Sequence, residues 1–460
     1  MLTRYNTHPS NNFTHRARAA AVTGLLIGLG HIAAFAQPLG TVMQLVKAHP
    51  SVKNAAASAN AAKENIAVAQ AASKLKLGGG FDVANGNQAS GVSSSGLAPQ
   101  LTATLPISDG GKTDDNVRAK TALSEAAQIR IRSTEETLGT EVLSLYTQVA
   151  QQQAVIGALE QHAKALDVLL GKVRAIAEVD TGRRSEVLQV QTKLNAVLSS
   201  REESRLVANQ ALTKLQQMLQ TKISVQVPFD SPKVDFAIPS NMAQAQALLA
   251  DHPEWKAALA DAQAAEASAD AAGKWGNPSW ALEAAAASTR DINSGKRKYL
   301  NAVTVTLSAN LDILDGGAGA ATANSESQLK AGALANVEVV QRNLASTLGT
   351  ELNLLALREQ RLAKLRTQVS TANELREAGF EQFLAGRRAL TEQINFENDY
   401  FSALLSLASE EVAHAGAPWR LVSALGQLGN VRGSVPQQAA AKRPLALQAN
   451  NRDASTTKPW

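Results

Sequence analysis

Val303-Thr304-Val305-Thr306-Leu307-Ser308-Ala309-Asn310-Leu311-Asp312-Ile313 alternates apolar and small polar residues, and Asp315-Gly316-Gly317 follows it. Period-two alternation over about eleven residues predicts a strand with one apolar and one wet face. That length and alternation match a transmembrane strand with one face in lipid and one wet face. A strand of a soluble sandwich is the alternative, but such a fold needs more strands than this chain offers. Beyond the glycines no proline appears from Ala318 to Ala385. A helix of that length is expected, spanning roughly 100 Å. Leu344, Leu348, Leu352, Leu355, Leu362, Leu365 and Val369 give it the mixed three-and-four spacing of a coiled-coil face.

The same order stands earlier in the chain. Leu105-Pro106-Ile107-Ser108-Asp109-Gly110-Gly111 precedes a second proline-free stretch, from Lys112 to Val179. Lys47-Ala48-His49-Pro50 returns as Ala250-Asp251-His252-Pro253, Thr137-Leu138-Gly139-Thr140-Glu141 as residues 347–351, and Gly182-Arg183-Arg184 as Gly386-Arg387-Arg388. The landmarks recur in one order at an offset of about 205 residues, far too long for a solenoid unit. The chain is read as two equivalent halves. Each runs helix, two strands, very long helix, Gly-containing turn, helix. The expected boundaries are 37–220 and 241–429, with a Pro-containing linker at 221–240 between them. Strands are expected at about 75–86, 97–108, 278–289 and 299–313. The helices at about Leu39–Lys74 and Ser185–Gln220 are half the length of Lys112–Val179. Stacked end to end, they match one long rod.

Composition agrees. Only 4% of the 460 residues are aromatic, and there is no cysteine. Ala- and Leu-rich sequence with little aromatic bulk suits long, closely packed helices. Residues 1–36 read as a secretory signal: Arg4, Arg16 and Arg18, an apolar run from Ala19 to Ala34, then Ala34-Phe35-Ala36. A membrane anchor is the alternative, and the shortness of the run and its Gly and His31 interruptions oppose it. The formal net charge is +5, of which the signal supplies three arginines and no acids. A polar tail, 430–460, adds Arg432, Lys442, Arg443, Arg452 and Lys458 against Asp453 and is expected to be disordered. The body between them is slightly acidic, and no nucleic-acid partner is implied.

Four strands cannot close a barrel, for which about eight is the minimum. Open edges are not viable in lipid. Three copies, giving twelve strands, are the simplest closure. Asp109 and Asp315 are expected to cap the long helices, and Gly110, Gly111, Gly316 and Gly317 to permit the sharp turns out of the sheet.

The duplication, both Asp-Gly-Gly turns, the long helices and the Gly-containing turns together resemble the TolC-like outer membrane factor family, over about Gln37–Gly429. The resemblance implies a mainly α fold with a β-barrel part. It would be a homotrimeric channel, with a twelve-stranded outer-membrane barrel on a long periplasmic α-helical tunnel. It further implies docking to a periplasmic adaptor and to an inner-membrane ABC or RND transporter. Val179-Asp180-Thr181-Gly182-Arg183-Arg184-Ser185-Glu186-Val187-Leu188-Gln189 and Trp419–Leu428 resemble the type I secretion branch. A proton-driven drug or metal efflux pump is the alternative, and a periplasmic coiled-coil adaptor a more distant one. At the second turn, Ala385 and Ala389 stand where small polar residues are common in the family.

The residues implied for a periplasmic gate are Asp180, Arg183, Arg184, Glu186, Phe383, Arg387, Arg388 and Glu392. Arg388 and Glu392 have the one-turn spacing of the family's closed-tip pair. Asn395 stands where a second acid is expected. Solvated surface pairs are the competing reading, each contributing less than about 1 kcal/mol. No catalytic constellation, cofactor or metal site is read. His49 and His252 precede Pro at helix starts, which suits capping. Gly111-Lys112-Thr113 fails as a phosphate loop because Pro106 occupies the required first glycine.

Overall fold

The structure is a computed structural model that describes residues 37–87, 93–228, 230–291 and 298–433. The expected signal, parts of the two strand-connecting loops and most of the expected tail lie outside the described residues. In chain order the elements are α1 (Leu39–Leu45), α2 (Pro50–Gln70), β1 (Lys76–Asn87), β2 (Ser93–Ser108), α3 (Lys112–Val179), α4 (Arg184–Leu219), α5 (Met242–Leu249), α6 (Pro253–Gly273), β3 (Ser279–Asp291), β4 (Lys298–Asn310), α7 (Ala318–Leu384), α8 (Leu390–Ala415) and α9 (Ala417–Ala424).

The halves repeat element by element. Both α2 and α6 have 21 residues, begin at Pro and are capped by the preceding histidine. His49 Nδ1 accepts from the Ser51 amide at 3.1 Å and His252 Nδ1 from the Glu254 amide at 3.2 Å. The long helices α3 and α7 have 68 and 67 residues. The helix expected from Leu39 to Lys74 is divided: a 3-10 turn, Val46–Ala48, joins α1 to His49, where Pro50 starts a fresh helix.

The four strands form one antiparallel sheet in the order β1-β2-β3-β4. Its register collects the apolar residues on one face. Leu101 lies opposite Ala286 and Ala286 opposite Val303; Leu105 opposite Leu282 and Leu282 opposite Leu307. Leu77, Phe81, Leu101, Val303, Val305 and Leu307 all project outward as exposed side chains. The other face carries Thr102, Thr104, Glu283, Thr304 and Thr306. β4 ends at Asn310, short of the expected Ile313. Leu311–Ile313 have no strand partner because β3 has already ended at Ser279, opposite Asn310.

Both Asp-Gly-Gly turns are built alike. Gly110 and Gly111 have φ +70 and +87, Gly316 and Gly317 φ +70 and +91, a left-handed conformation that a Cβ would strain. Asp109 accepts from the Gly111 and Thr113 amides at 3.0 and 2.7 Å, and Asp315 from the Gly317 and Gly319 amides. Burial pushes the Asp109 carboxyl up, yet these hydrogen bonds outweigh it and hold it below its usual range. The Asp315 carboxyl is lowered by its bonds from Gly319 and Gly317.

The largest core lies part-way along the rods, where α1, α3, α4, α9 and the linker meet around Tyr146 and Trp419. The Tyr146 hydroxyl donates to the Gln37 carbonyl at 2.8 Å and accepts from the Gln226 amide at 2.9 Å. The Trp419 indole N–H donates to the Asp230 carbonyl at 2.7 Å. The packed body continues past Gly429: Val431 is buried, and the Glu136 carboxylate accepts from the Leu428 and Gly429 amides at 2.8 and 2.9 Å. Among the described residues no helix is long and apolar enough to cross a membrane.

The two faces of the sheet should respond oppositely to charge. Val305→Arg, on the apolar face, should cost about 2–4 kcal/mol near the bilayer midplane and deplete the protein from the outer-membrane fraction. Thr304→Arg, one residue away on the other face, should leave the yield near wild type.

Candidate functional site

The long helices carry the chain roughly 100 Å from the sheet to two turns. The first follows α3. Asp180 caps it, its Oδ1 accepting from the Gly182 amide at 3.1 Å, and Arg183 pairs with Glu186 at 2.9 Å. The second follows α7. Gly386 takes φ +69 there, and the Arg387 amide donates back to the Gln382 carbonyl at 2.9 Å.

One apolar cluster joins the two turns. Leu166, Leu169, Leu170 and Val173 of α3, Val190 and Leu194 of α4, Phe383 of α7, and Leu390 and Ile394 of α8 pack together. Phe383 is buried, with the Arg183 guanidinium 5.8 Å above its ring. Two candidate residues from different halves therefore meet. Arg388 and Glu392 pair at 3.1 Å as their spacing predicts. Arg388 also donates to the Gln382 side chain at 2.6 Å and covers the Phe396 ring at 5.1 Å. Among the described residues neither Arg184 nor Arg387 has an ion-pair partner.

A second polar cluster lies on the side of α8 facing α3 and α7, and the sequence reading missed it. Arg376 of α7 stands 3.6 Å from the buried Glu397 of α8 and covers the Tyr400 ring at 4.5 Å. The fully buried Gln393 donates to Glu397 at 3.3 Å and to the Arg376 carbonyl at 3.4 Å. His162 of α3 stacks on Phe401 with ring centroids 4.1 Å apart. The acid near the expected position of Asn395 is thus Glu397, and it serves Arg376 rather than Arg388. Beside it lies a cavity of about 870 Å³ bordered by Lys164, Glu374, Glu377, Glu381 and Tyr400. A signal existed: Gln393 and Glu397 interrupt the apolar stripe of Leu390, Ile394 and Phe401, and polar residues in such a stripe must find buried partners. Gly379 permits the close approach of α8, because a Cβ there would lie 2.5 Å from the Phe396 ring.

Burial pushes the Glu397 carboxyl up and the His162 imidazole down to about 4. Among the described residues no group of His, Cys, Asp and Glu is placed to hold a metal ion.

A family model described as outer membrane efflux protein matches residues 42–221. The outer membrane efflux protein BepC of Brucella suis is 21% identical over 392 residues, 85% of each chain. Over these stretches the chain is similar to outer membrane efflux proteins. Its fold matches the outer-membrane channel OprN at a TM-score of 0.75, with 17% identity, 85% of this chain and 90% of that one. It matches the CmeC outer membrane channel of Campylobacter jejuni at 0.73, with 15% identity, 93% of this chain and 95% of that one. The long helical tunnel with a barrel part is the fold shared with these TolC-like channels.

Gly379→Ala should force α7 and α8 apart and lower stability by about 1–3 kcal/mol, read as a fall in urea midpoint. The Glu397 carboxyl has its folded pKa above the unfolded value near 4.5. Its contribution is therefore fully present below that unfolded value and is lost as pH rises through the folded one. Amide protection in α8, corrected for intrinsic exchange, should rise as pH is lowered from neutrality toward 4.5, and Glu397→Gln should flatten that rise.

Proposed function

We propose that this chain is the outer-membrane exit duct of a tripartite export system, with its barrel in the outer membrane of a Gram-negative bacterium and its helices in the periplasm. The observation that carries this reading is the sheet: apolar outside, small and polar on the other face, and open at both edges. Three copies close it into a twelve-stranded barrel with a wet lumen. The duct is a passive conduit, not an enzyme. Energy for transport comes from an inner-membrane transporter reached through a periplasmic adaptor.

Type I protein secretion is the finer reading. It rests on Asp180-Thr181-Gly182-Arg183-Arg184-Ser185-Glu186 and on Trp419–Leu428, which resemble that branch. Trp419 through Leu428 is also a structural keystone, with Trp419, Leu421, Val422, Leu425 and Leu428 all buried. Efflux of drugs or metals by a proton-driven pump is the second reading, favoured by the description of BepC as an efflux protein.

The gate is assigned to the two helical turns. Arg183 with Glu186 and Arg388 with Glu392 are partly exposed pairs, each weak alone. Three-fold repetition around a narrow aperture multiplies them. Phe383 anchors the turns to the cluster beneath, while Asp180, Arg184 and Arg387 add charge at the rim.

Single-channel conductance of the purified protein in a planar bilayer tests both parts. The closed wild type should show low conductance, rising several-fold in Arg388→Ala and Glu392→Ala. Equal steps in all three proteins would keep the channel and discard these gate residues. A water-soluble monomer would overturn the duct.

A further inference from the structure

The halves fold alike but are unequally covered. α6 buries Pro253, Ala257, Ala258, Ala260, Ala262, Ala264 and Ala267, whereas α2, of equal length, buries only Val52 and Ala59. α3 buries residues along most of its length, while α7 buries only Leu344, Leu348, Leu362, Leu365, Gly379 and Phe383. The difference has a simple geometry. α6 packs against both α3 and α7, and α2 against α3; β3 lies between β2 and β4, and β1 has β2 alone. What α2, β1, β4 and α7 lack, α6, β3, β2 and α3 already have.

The covered junction shows what fills the gap. Lys274, just past the end of α6, lies 2.6 Å from the buried Asp115 and donates to the Gly111 carbonyl at 3.3 Å. Asn277 donates to the Gly110 carbonyl at 3.1 Å, and Lys112 to the Trp275 carbonyl at 3.1 Å. The turn between β2 and α3 is thereby tied to the link between α6 and β3. The matching turn, Gly316-Gly317, has the same conformation, yet a Cβ built at either glycine meets no atom within 4 Å. α2 and α6 start at Pro50 and Pro253, and β1 and β3 at Lys76 and Ser279, so Lys74 holds the place of Asn277, and Ala71 that of Lys274. Lys74 is exposed, and among the described residues its ammonium has no ion-pair or hydrogen-bond partner.

We infer that Lys74 of one copy donates to the Gly316 carbonyl of the neighbouring copy, as Asn277 donates to Gly110 within the chain, latching β1 and α2 of one chain to β4 and α7 of the next. The inference rests on the trimeric duct reading and adds the residue that seals its seam. The inter-copy latch is the simpler of the two. Counting from each Asp-Gly-Gly, the position of Asp115 is held by Ala321, so Lys74 meets a carbonyl without a buried carboxylate behind it. The seam between copies is therefore weaker at this level than the seam within each chain.

The chain contains no cysteine, so cross-linking is unambiguous. Full-length protein carrying Lys74→Cys with Ala318→Cys is extracted in detergent and treated with a short bis-maleimide. The pair Lys112→Cys with Lys274→Cys is the within-chain reference. The first pair should give dimers and trimers that survive denaturation, its single variants none, and the reference pair only monomers with altered mobility. Independently, Lys74→Met should lower by several degrees the temperature at which the trimer dissociates in SDS, with Lys74→Arg near wild type. A native trimer in which the reference pair links, the 74–318 pair does not, and Lys74→Met dissociates like wild type would overturn the latch alone. Absence of any trimer would instead remove the duct reading on which it rests.

Discussion

Backbone N–H and C=O groups along the outer edges of β1 and β4 have no partner within the sheet of one chain. In hydrocarbon each unpaired group costs several kcal/mol, and no water is present to relieve it. Neither edge is short: β1 has 12 residues and β4 13. The apolar face formed by Leu101, Leu105, Leu282, Val303 and Leu307 belongs in lipid, yet the sheet that carries it must first be closed. That requirement links membrane insertion to assembly, and in the proposed duct further copies of the chain meet it by pairing the two open edges.

The helical part is organised by the same closure. Each Asp-Gly-Gly turn hands a strand directly to a helix of nearly seventy residues, so the spacing of strands around a barrel becomes the spacing of rods around a tunnel. Small residues make this possible. The alanines of α6 allow close approach to α3 and α7, and Gly379 does the same for α8 near the tip. Larger polar residues are held in reserve for the far end. There Arg376, Gln393, Glu397 and Tyr400 tie α7 to α8 behind the exposed pairs of the turns.

Much of this was legible in the sequence because it is written in local patterns. The alternation from Val303 to Ala309, the two Asp-Gly-Gly turns, the His-Pro helix starts and the proline-free stretches each act within one element. The pairing of Arg388 with Glu392 was readable for the same reason, being one turn of one helix. Other features were not. Arg376 meets Glu397 across two antiparallel helices, and His162 stacks on Phe401 across 239 positions of chain. No periodicity encodes such partners. The break at Val46–Ala48 was missed because the apolar run of Leu39, Val42, Met43 and Leu45 leads straight into it without a breaker, and only the geometry before Pro50 decides it. The end of β4 was overrun because the alternation continues through Leu311 and Ile313 after β3 has ceased to offer a partner.

Imaging detergent-solubilised particles by cryo-electron microscopy tests the central claim most directly. The account predicts three copies around one axis, with β4 of each chain hydrogen-bonded to β1 of the next and a hollow helical rod roughly 100 Å long beneath the barrel. A particle with a different number of copies, or one in which β1 and β4 remain unpaired, would contradict it.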